Sequence, residues 1–299
     1  MTNRRTTPLE TVSVVVPDAA LEVFEAALDA VCETVGFFRD PAQEAWRVEG
    51  VKRVGAKEAE LAASLALAAA VSGVTPAVER QPTAAEGWLA RTRAAFPEQF
   101  VGRRFAVRGT HLTARPAAGR VTLVLDAGLA FGSGEHGSTR GCLIALEAIA
   151  SRRPRRILDL GTGSGILAMA AARLLHRPVL ATDIEPWSVR VARENAERNR
   201  VGHLVRTRLA DGWRHPAVRA GGPYDLVFAN ILARPLCAMA KDLAASLAPG
   251  GMAILAGLLD GQARGVLAAH RRQGLRLVRR VPQGAWTTLV VGKANAAQA

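Results

Sequence analysis

The segment Asp159-Leu-Gly-Thr-Gly-Ser-Gly165 sets a carboxylate beside three glycines at alternate positions. Ile157, Leu158 and Leu160 form a short apolar run of the kind that makes a buried parallel strand. The Ala-rich stretch Ile166 to Leu174 favours a helix. Strand, glycine turn and helix in that order bring backbone N–H groups and a helix N-terminus against a ligand. Glycine is required where a Cβ would block close approach or forbid positive φ. A second apolar strand, Val179 to Thr182, ends in Asp183, about twenty residues after the glycine turn. A carboxylate there accepts two hydrogen bonds from ribose hydroxyls and would repel a phosphate. Glu185 is the weaker candidate for that position. Asn230 closes the apolar run Leu226 to Ala229, where an open parallel sheet binds ligands beyond its strand ends.

The glycine spacing separates two nucleotide-binding chemistries. A dinucleotide fingerprint has G-x-G-x-x-G under a pyrophosphate, whereas this chain has D-x-G-x-G-x-G. That pattern resembles the first motif of class I S-adenosylmethionine-dependent methyltransferases, in which the turn holds the amino-acid portion of the cofactor. About twenty residues earlier stands Phe131-Gly-Ser-Gly-Glu-His136-Gly-Ser-Thr139-Arg. With it the chain resembles the ribosomal protein methyltransferases that modify the eleventh protein of the large subunit, at the stalk base. Their pattern is Phe-Gly-Thr-Gly-x-His-x-Thr-Thr; Ser133 and Ser138 replace threonine here and keep the hydroxyl. The resemblance implies that Thr139, Gly161, Gly163, Asp183 and Asn230 contact S-adenosyl-L-methionine. Asn230-Ile-Leu-Ala233 is also the version of that family, in place of the Asn/Asp-Pro-Pro-Tyr/Phe of glutamine- and adenine-methylating relatives. Ala210-Asp211-Gly212 resembles the adenine-side turn of the fold, although a loop Asp before Gly is common without any ligand.

Thr11 to Val16 is a strand and Asp18 a helix N-cap for a run to about Val31. Thr34 to Phe38 and Ala45 to Val51 are strands, and Glu58 to Val71 is a helix. This order suggests a small α+β domain of ferredoxin-like type. Ala84 to Phe96 reads as a linker helix, followed by strands Arg104 to Arg108 and Val121 to Asp126. Ser138 or Thr139 would cap a helix from about Arg140 to Ile149. Further helices are expected over Ser188 to Asn199, Leu236 to Leu247 and Gln262 to Gln273, with Pro249-Gly250-Gly251 closing the second. Strands at Arg206 to Leu209, Met252 to Gly257, Arg276 to Pro282 and Trp286 to Val291 complete the set. The expected fold is α/β: a seven-stranded, mostly parallel Rossmann-like methyltransferase sheet with a smaller N-terminal α+β domain. The division is 1–83 for substrate recognition, 84–100 as linker helix and 101–299 for cofactor binding and transfer.

Composition narrows the function classes. The 299 residues are 49% hydrophobic, ample for a core. Cys32, Cys142 and Cys237 are scattered, make no metal-ligand spacing and point to a reducing cytoplasm. His136 has no second His or Cys at ligand spacing, which speaks against metal, and it is read as structuring its loop. No apolar signal-peptide core follows the N-terminus, and Ala59 to Val71 is too short to span a bilayer. Residues 1–100 hold 10 Lys/Arg against 14 Asp/Glu; the remainder hold 29 against 12. An acidic N-terminal part could suit a basic protein substrate near RNA; drift toward Arg, 35 of the 39 cations, gives the same balance.

The chemistry expected is in-line displacement of a methyl from a sulfonium onto an amine, in which the protein aligns partners and excludes water. A lysine acceptor of ordinary pKa costs about 4–5 kcal/mol to deprotonate at neutral pH, and desolvation beside a sulfonium supplies part of that. Asn230 would position the amine; no general base is evident. From the resemblance, the acceptors are lysine side chains and the α-amino group of the ribosomal protein, free or in the ribosome. Two other readings use the same residues: an RNA or small-molecule methyltransferase of this fold, and a cofactor-binding factor that docks on ribosomes without turnover. The low aromatic content, 5%, and the lack of an RNA-binding motif weigh against the first.

Overall fold

A computed structural model describes residues 8–40, 45–83, 98–110, 112–113, 118–125 and 137–295. The expected linker helix at 84–96 and the Phe131–His136 half of the second motif lie outside the described residues. The chain divides into two compact units, Met1–Thr92 and Arg93–Ala299.

Unit 1 contains β1 (Leu9–Val16), a 3-10 turn (Asp18–Ala20), α1 (Leu21–Asp29), β2 (Thr34–Asp40), β3 (Ala45–Arg53), α2 (Glu58–Ser72) and β4 (Val78–Thr83). The four strands form one antiparallel sheet in the order β2-β3-β1-β4. This is the ferredoxin-like arrangement, and β4 completes it. Alternation along β1 buries Val12, Val14 and Val16. Asp18 opens the 3-10 turn and accepts a hydrogen bond from the Trp46 indole, so it is not the N-cap of α1. Gly73, at φ +71°, closes α2 in the left-handed conformation glycine favours.

Unit 2 opens with a three-stranded sheet, β5 (Gln99–Val101), β6 (Phe105–Gly109) and β7 (Val121–Leu125), then α3 (Gly137–Ile149). β8 (Ile157–Leu160), α4 (Ile166–Leu175), β9 (Val179–Asp183), α5 (Pro186–Arg198) and β10 (Val205–Leu209) follow as β-α-β-α-β. Next come α6 (Pro216–Gly221), β11 (Tyr224–Asn230), α7 (Ala233–Ala238), α8 (Ala240–Ser246), β12 (Leu247–Leu259), α9 (Ala263–Arg271) and the hairpin β13 (Arg276–Gln283) and β14 (Trp286–Gly292). Strands β8 to β14 make one seven-stranded sheet, ordered β10-β9-β8-β11-β12-β14-β13, in which β10 through β12 are parallel and β14 and β13 antiparallel.

Side chains of the central strands divide between two cores. Ile157, Leu226, Phe228, Met252 and Ile254 face α3 and α4, where Leu143, Leu146, Ala168 and Ala172 meet them. Leu158, Val227, Ala253 and Leu255 face the opposite side, against Val218, Leu236, Leu243 and Val266 of α6 to α9. Burial on both faces explains why these strands read as continuous apolar runs.

Three further expectations are corrected. Among the described residues the helix expected from Arg140 is already formed at Gly137, so Ser138 and Thr139 lie buried inside it and do not cap it. A Cβ on Gly141 would stand 2.2 Å from Thr288 Oγ1, so α3 packs on the hairpin closer than another residue permits. The helix expected over 236–247 is broken into α7 and α8. Pro249-Gly250-Gly251 runs inside β12, with a register shift against β11 between Tyr224 and Leu226. Backbone bonds from Gly250 N to Ala294 O and from Lys293 N to Gly251 O hold it there.

Candidate active site

In the strand order, chain direction switches between β8 and β11: β8 leads to β9 and β10 on one side, β11 to β12 on the other. A crevice opens at such a point beyond the carboxyl ends of the strands. The glycine turn leaves β8 there and Asn230 ends β11 there.

Gly161, Gly163 and Gly165 have φ of +69°, +52° and +83°. Thr162 N donates to Thr182 O at 2.9 Å and Gly165 N to Thr162 O at 2.9 Å, which fastens the turn to β9. A Cβ on Gly161 would lie 2.5 Å from Ile231 Cγ2, so the turn sits directly against the residue after Asn230. Behind it lies Asp159, 1% exposed. Its Oδ2 accepts from Thr162 Oγ1 at 2.6 Å and Ala168 N at 3.0 Å, fixing the turn and the first turn of α4. Oδ1 is buried and has no hydrogen-bond partner among the described residues. Burial pushes the Asp159 carboxyl up to about 6, against the two hydrogen bonds that lower it, and the Asp183 charge adds to the rise.

Asp183 is buried at the end of β9. Its Oδ2 accepts from Gly163 N at 2.9 Å and its Oδ1 from Glu185 N at 3.0 Å. Two backbone donors orient the carboxylate and leave each oxygen a further acceptor site, enough for a vicinal diol. Glu185 is exposed and supplies only its backbone here. Asn230 Nδ2 donates to Thr139 Oγ1 at 3.4 Å across 91 residues of chain. Thr139, wholly buried, and Asn230, half-buried, therefore meet, while Gly161, Gly163 and Asp183 form a second group joined by the Gly163–Asp183 bond. The contact between Gly161 and Ile231 brings the two groups together. Asp211 is not drawn in: it is 67% exposed and pairs with Arg214 at 2.9 Å.

Four residues outside the expected cofactor contacts shape this region. Asp159 and Thr162 hold the turn; Asn195 of α5 donates to Ser164 O at 2.9 Å. Trp286, at the start of β14, packs on Gly137, whose Cβ would stand 2.8 Å from the indole ring. The strand position of Asp159, just before the glycines, was the available signal for the first of these. Among the described residues no group of three His, Cys, Asp or Glu is arranged to hold a metal ion.

A mostly parallel seven-stranded sheet with a glycine turn after its central strand and an acid ending the next defines a class I methyltransferase fold. The sequence model of the family described as ribosomal protein L11 methyltransferase (PrmA) matches residues 10–294, and the chain belongs to that family. It is 42% identical to the ribosomal protein L11 methyltransferase of Bradyrhizobium diazoefficiens over 277 residues, 92% of this chain and 88% of that protein. Its identity to the protein of that name from Rhizobium meliloti is 45% over 71% of this chain and 73% of the relative. A crystal structure of ribosomal protein L11 methylase from Lactobacillus delbrueckii subsp. bulgaricus superposes with a TM-score of 0.61 at 28% identity, covering 66% of this chain and 99% of the other.

Proposed function

We propose that the chain transfers methyl groups from S-adenosyl-L-methionine to amino nitrogens of ribosomal protein L11, at lysine side chains and the α-amino group. The observation that carries this reading is the Asp183 carboxylate, oriented by Gly163 N and Glu185 N beside a glycine turn that faces Asn230. S-adenosylmethionine supplies a sulfonium-bound methyl with a neutral thioether leaving group. Asp183 would take the ribose diol, and the backbone of Gly161 and Gly163 would lie along the amino-acid portion. Thr139 fixes the Asn230 amide through the 3.4 Å contact, which aims the Asn230 oxygen at the acceptor. That oxygen accepts a hydrogen bond from the amine and holds its lone pair in line with the methyl, so alignment supplies much of the rate. The acceptor reacts neutral; exclusion of water around it lowers its pKa in the required direction.

The domain assignment belongs to the same reading: residues 1–83 recognise the protein substrate and 101–299 bind cofactor and perform transfer, in a cytoplasmic setting. No helix among the described residues is long and apolar enough to cross a membrane. Mass spectrometry of large-subunit proteins incubated with the chain and S-adenosylmethionine tests the reading. Mass gains in steps of one methyl on L11 alone are expected; label in RNA, or none with cofactor bound, would overturn the acceptor assignment.

A further inference from the structure

The two ends of the parallel strands carry opposite charge. The segments leading into β8, β9 and β10 (150–156, 176–178 and 199–204) hold Arg152, Arg153, Arg155, Arg156, Arg177 and Arg200, and no Asp or Glu. The segments following the same strands (161–165, 184–185 and 210–214, again including a 3-10 turn) hold Glu185, Asp211 and Arg214, the last paired with Asp211, and Asp183 closes β9. Compositional enrichment in Arg would raise both ends alike, so it does not account for the contrast. Five of the six arginines are exposed and Arg177 is half-buried. None of their guanidinium groups has a hydrogen bond or ion pair with a described residue. The carboxylate of Asp225, on β11 at the same end, is engaged by backbone: its Oδ2 accepts from Arg155 N at 2.8 Å and Arg156 N at 2.9 Å.

Pairing of Ile157 with Val179 and of Val205 with Val179 sets the three segments side by side, one strand spacing of about 4.8 Å apart. Guanidinium groups gathered on three adjacent segments suit phosphates, which arginine binds bidentately. Bilayer docking would call for apolar side chains that insert, and none of the exposed large hydrophobic residues lies in these segments.

We propose that the strand-leading face of unit 2 is a docking surface for the phosphate backbone of RNA, at the opposite strand ends from the glycine turn. RNA held there leaves the acidic end of the sheet free for a basic polypeptide. A tether of this kind raises the local concentration of an acceptor that is itself bound to RNA. The surface is independent of methyl transfer and is tested separately.

The test is fluorescence anisotropy of a labelled single-stranded RNA with the full chain across a salt series. With about 0.7 counterions released per phosphate, four or more contacts give a log–log salt slope of about −3 or steeper. Arg152→Glu/Arg153→Glu/Arg155→Glu, and separately Arg177→Glu/Arg200→Glu, should each weaken binding by about tenfold or more and flatten the slope. A control reversal on the exposed edge strand, Arg276→Glu/Arg279→Glu, should change affinity less than about twofold, with cofactor affinity unchanged in all three. Equal weakening by the control would make the attraction a diffuse net-charge effect and overturn the assignment. So would the absence of salt-dependent RNA binding by the unaltered chain, or tighter binding to phosphatidylserine vesicles than to RNA.

Discussion

Asp183 and Asp159 are two buried carboxylates with opposite engagement. Asp183 accepts one backbone donor on each oxygen and retains capacity for a diol, whereas Asp159 spends Oδ2 on the turn and leaves Oδ1 without a partner among the described residues. Replacing Asp183 with Asn keeps the shape but loses the charge and one acceptor; hydrogen bonds to a charged group are worth about 1.5–3 kcal/mol each. Asp183→Asn should therefore weaken S-adenosylmethionine binding by roughly tenfold to a hundredfold in calorimetry, with folding retained. For Asp159 the prediction concerns pH. Its carboxyl is raised from 3.8 to about 6 by burial, so the folded chain keeps a proton that the unfolded chain releases. Stability from this group is present at the acid end of that window, falls as pH rises from about 4 to 6, and is flat above. Two pH units correspond to about 3 kcal/mol. Chemical denaturation should show this decline in the native chain and its loss in Asp159→Asn; an unchanged slope would remove Asp159 as the cause. The place of Asp183 at the end of β9, about twenty residues after the glycine turn, was legible from spacing. The raised pKa of Asp159 was not, because burial is a property of the assembled sheet.

At the scale of elements, the turn between β8 and α4 depends on glycine for two separate reasons. A left-handed conformation costs an L-residue about 1–2 kcal/mol, and at Gly161 a Cβ would also collide with Ile231 Cγ2 at 2.5 Å. Gly274, at φ +80° with nothing within 4 Å of its would-be Cβ, separates the two costs. Gly274→Ala should lose about 1–2 kcal/mol and leave cofactor affinity unchanged. Gly161→Ala should lose that amount and also displace Ile231 and Asn230, weakening cofactor binding and transfer together. Equal cofactor affinity in the two variants would mean that the Gly161–Ile231 contact does not position the site. The central strands β8, β11 and β12 were readable because, buried on both faces, they carry apolar runs. β4 was not: Val-Glu-Arg-Gln-Pro-Thr has neither alternation nor β-branched density, and only its ladder with β1 makes it a strand. Pro249-Gly250-Gly251 misled for a related reason, since residues that usually end a helix here accommodate an irregularity within β12.

Across the whole molecule, the assignment of recognition to residues 1–83 and transfer to 101–299 implies that unit 1 can be damaged without loss of cofactor binding. Lys52 offers the means. It is 2% exposed in unit 1, with Nζ 2.7 Å from Glu10 Oε1, 2.5 Å from Glu58 Oε1 and 2.8 Å from Ala56 O. Burial lowers the Lys52 pKa, but the hydrogen bonds to Glu10 and Glu58 outweigh it and hold the ammonium above its ordinary value. The charge thus joins β1, β3 and the start of α2. Removing one partner of a buried pair costs about 3–5 kcal/mol, because the other charge is left uncompensated, whereas replacing both with apolar or neutral groups costs far less. Lys52→Met should therefore unfold unit 1, and Lys52→Met/Glu10→Gln should restore part of its stability. If unit 1 recognises the ribosomal protein, the single variant loses methyl transfer to L11, the double variant regains some, and both bind S-adenosylmethionine with the native affinity. Transfer to L11 that persists while unit 1 is unfolded would move recognition of the substrate to residues 101–299. Loss of cofactor binding in the single variant would show instead that the transfer unit needs unit 1 in order to fold.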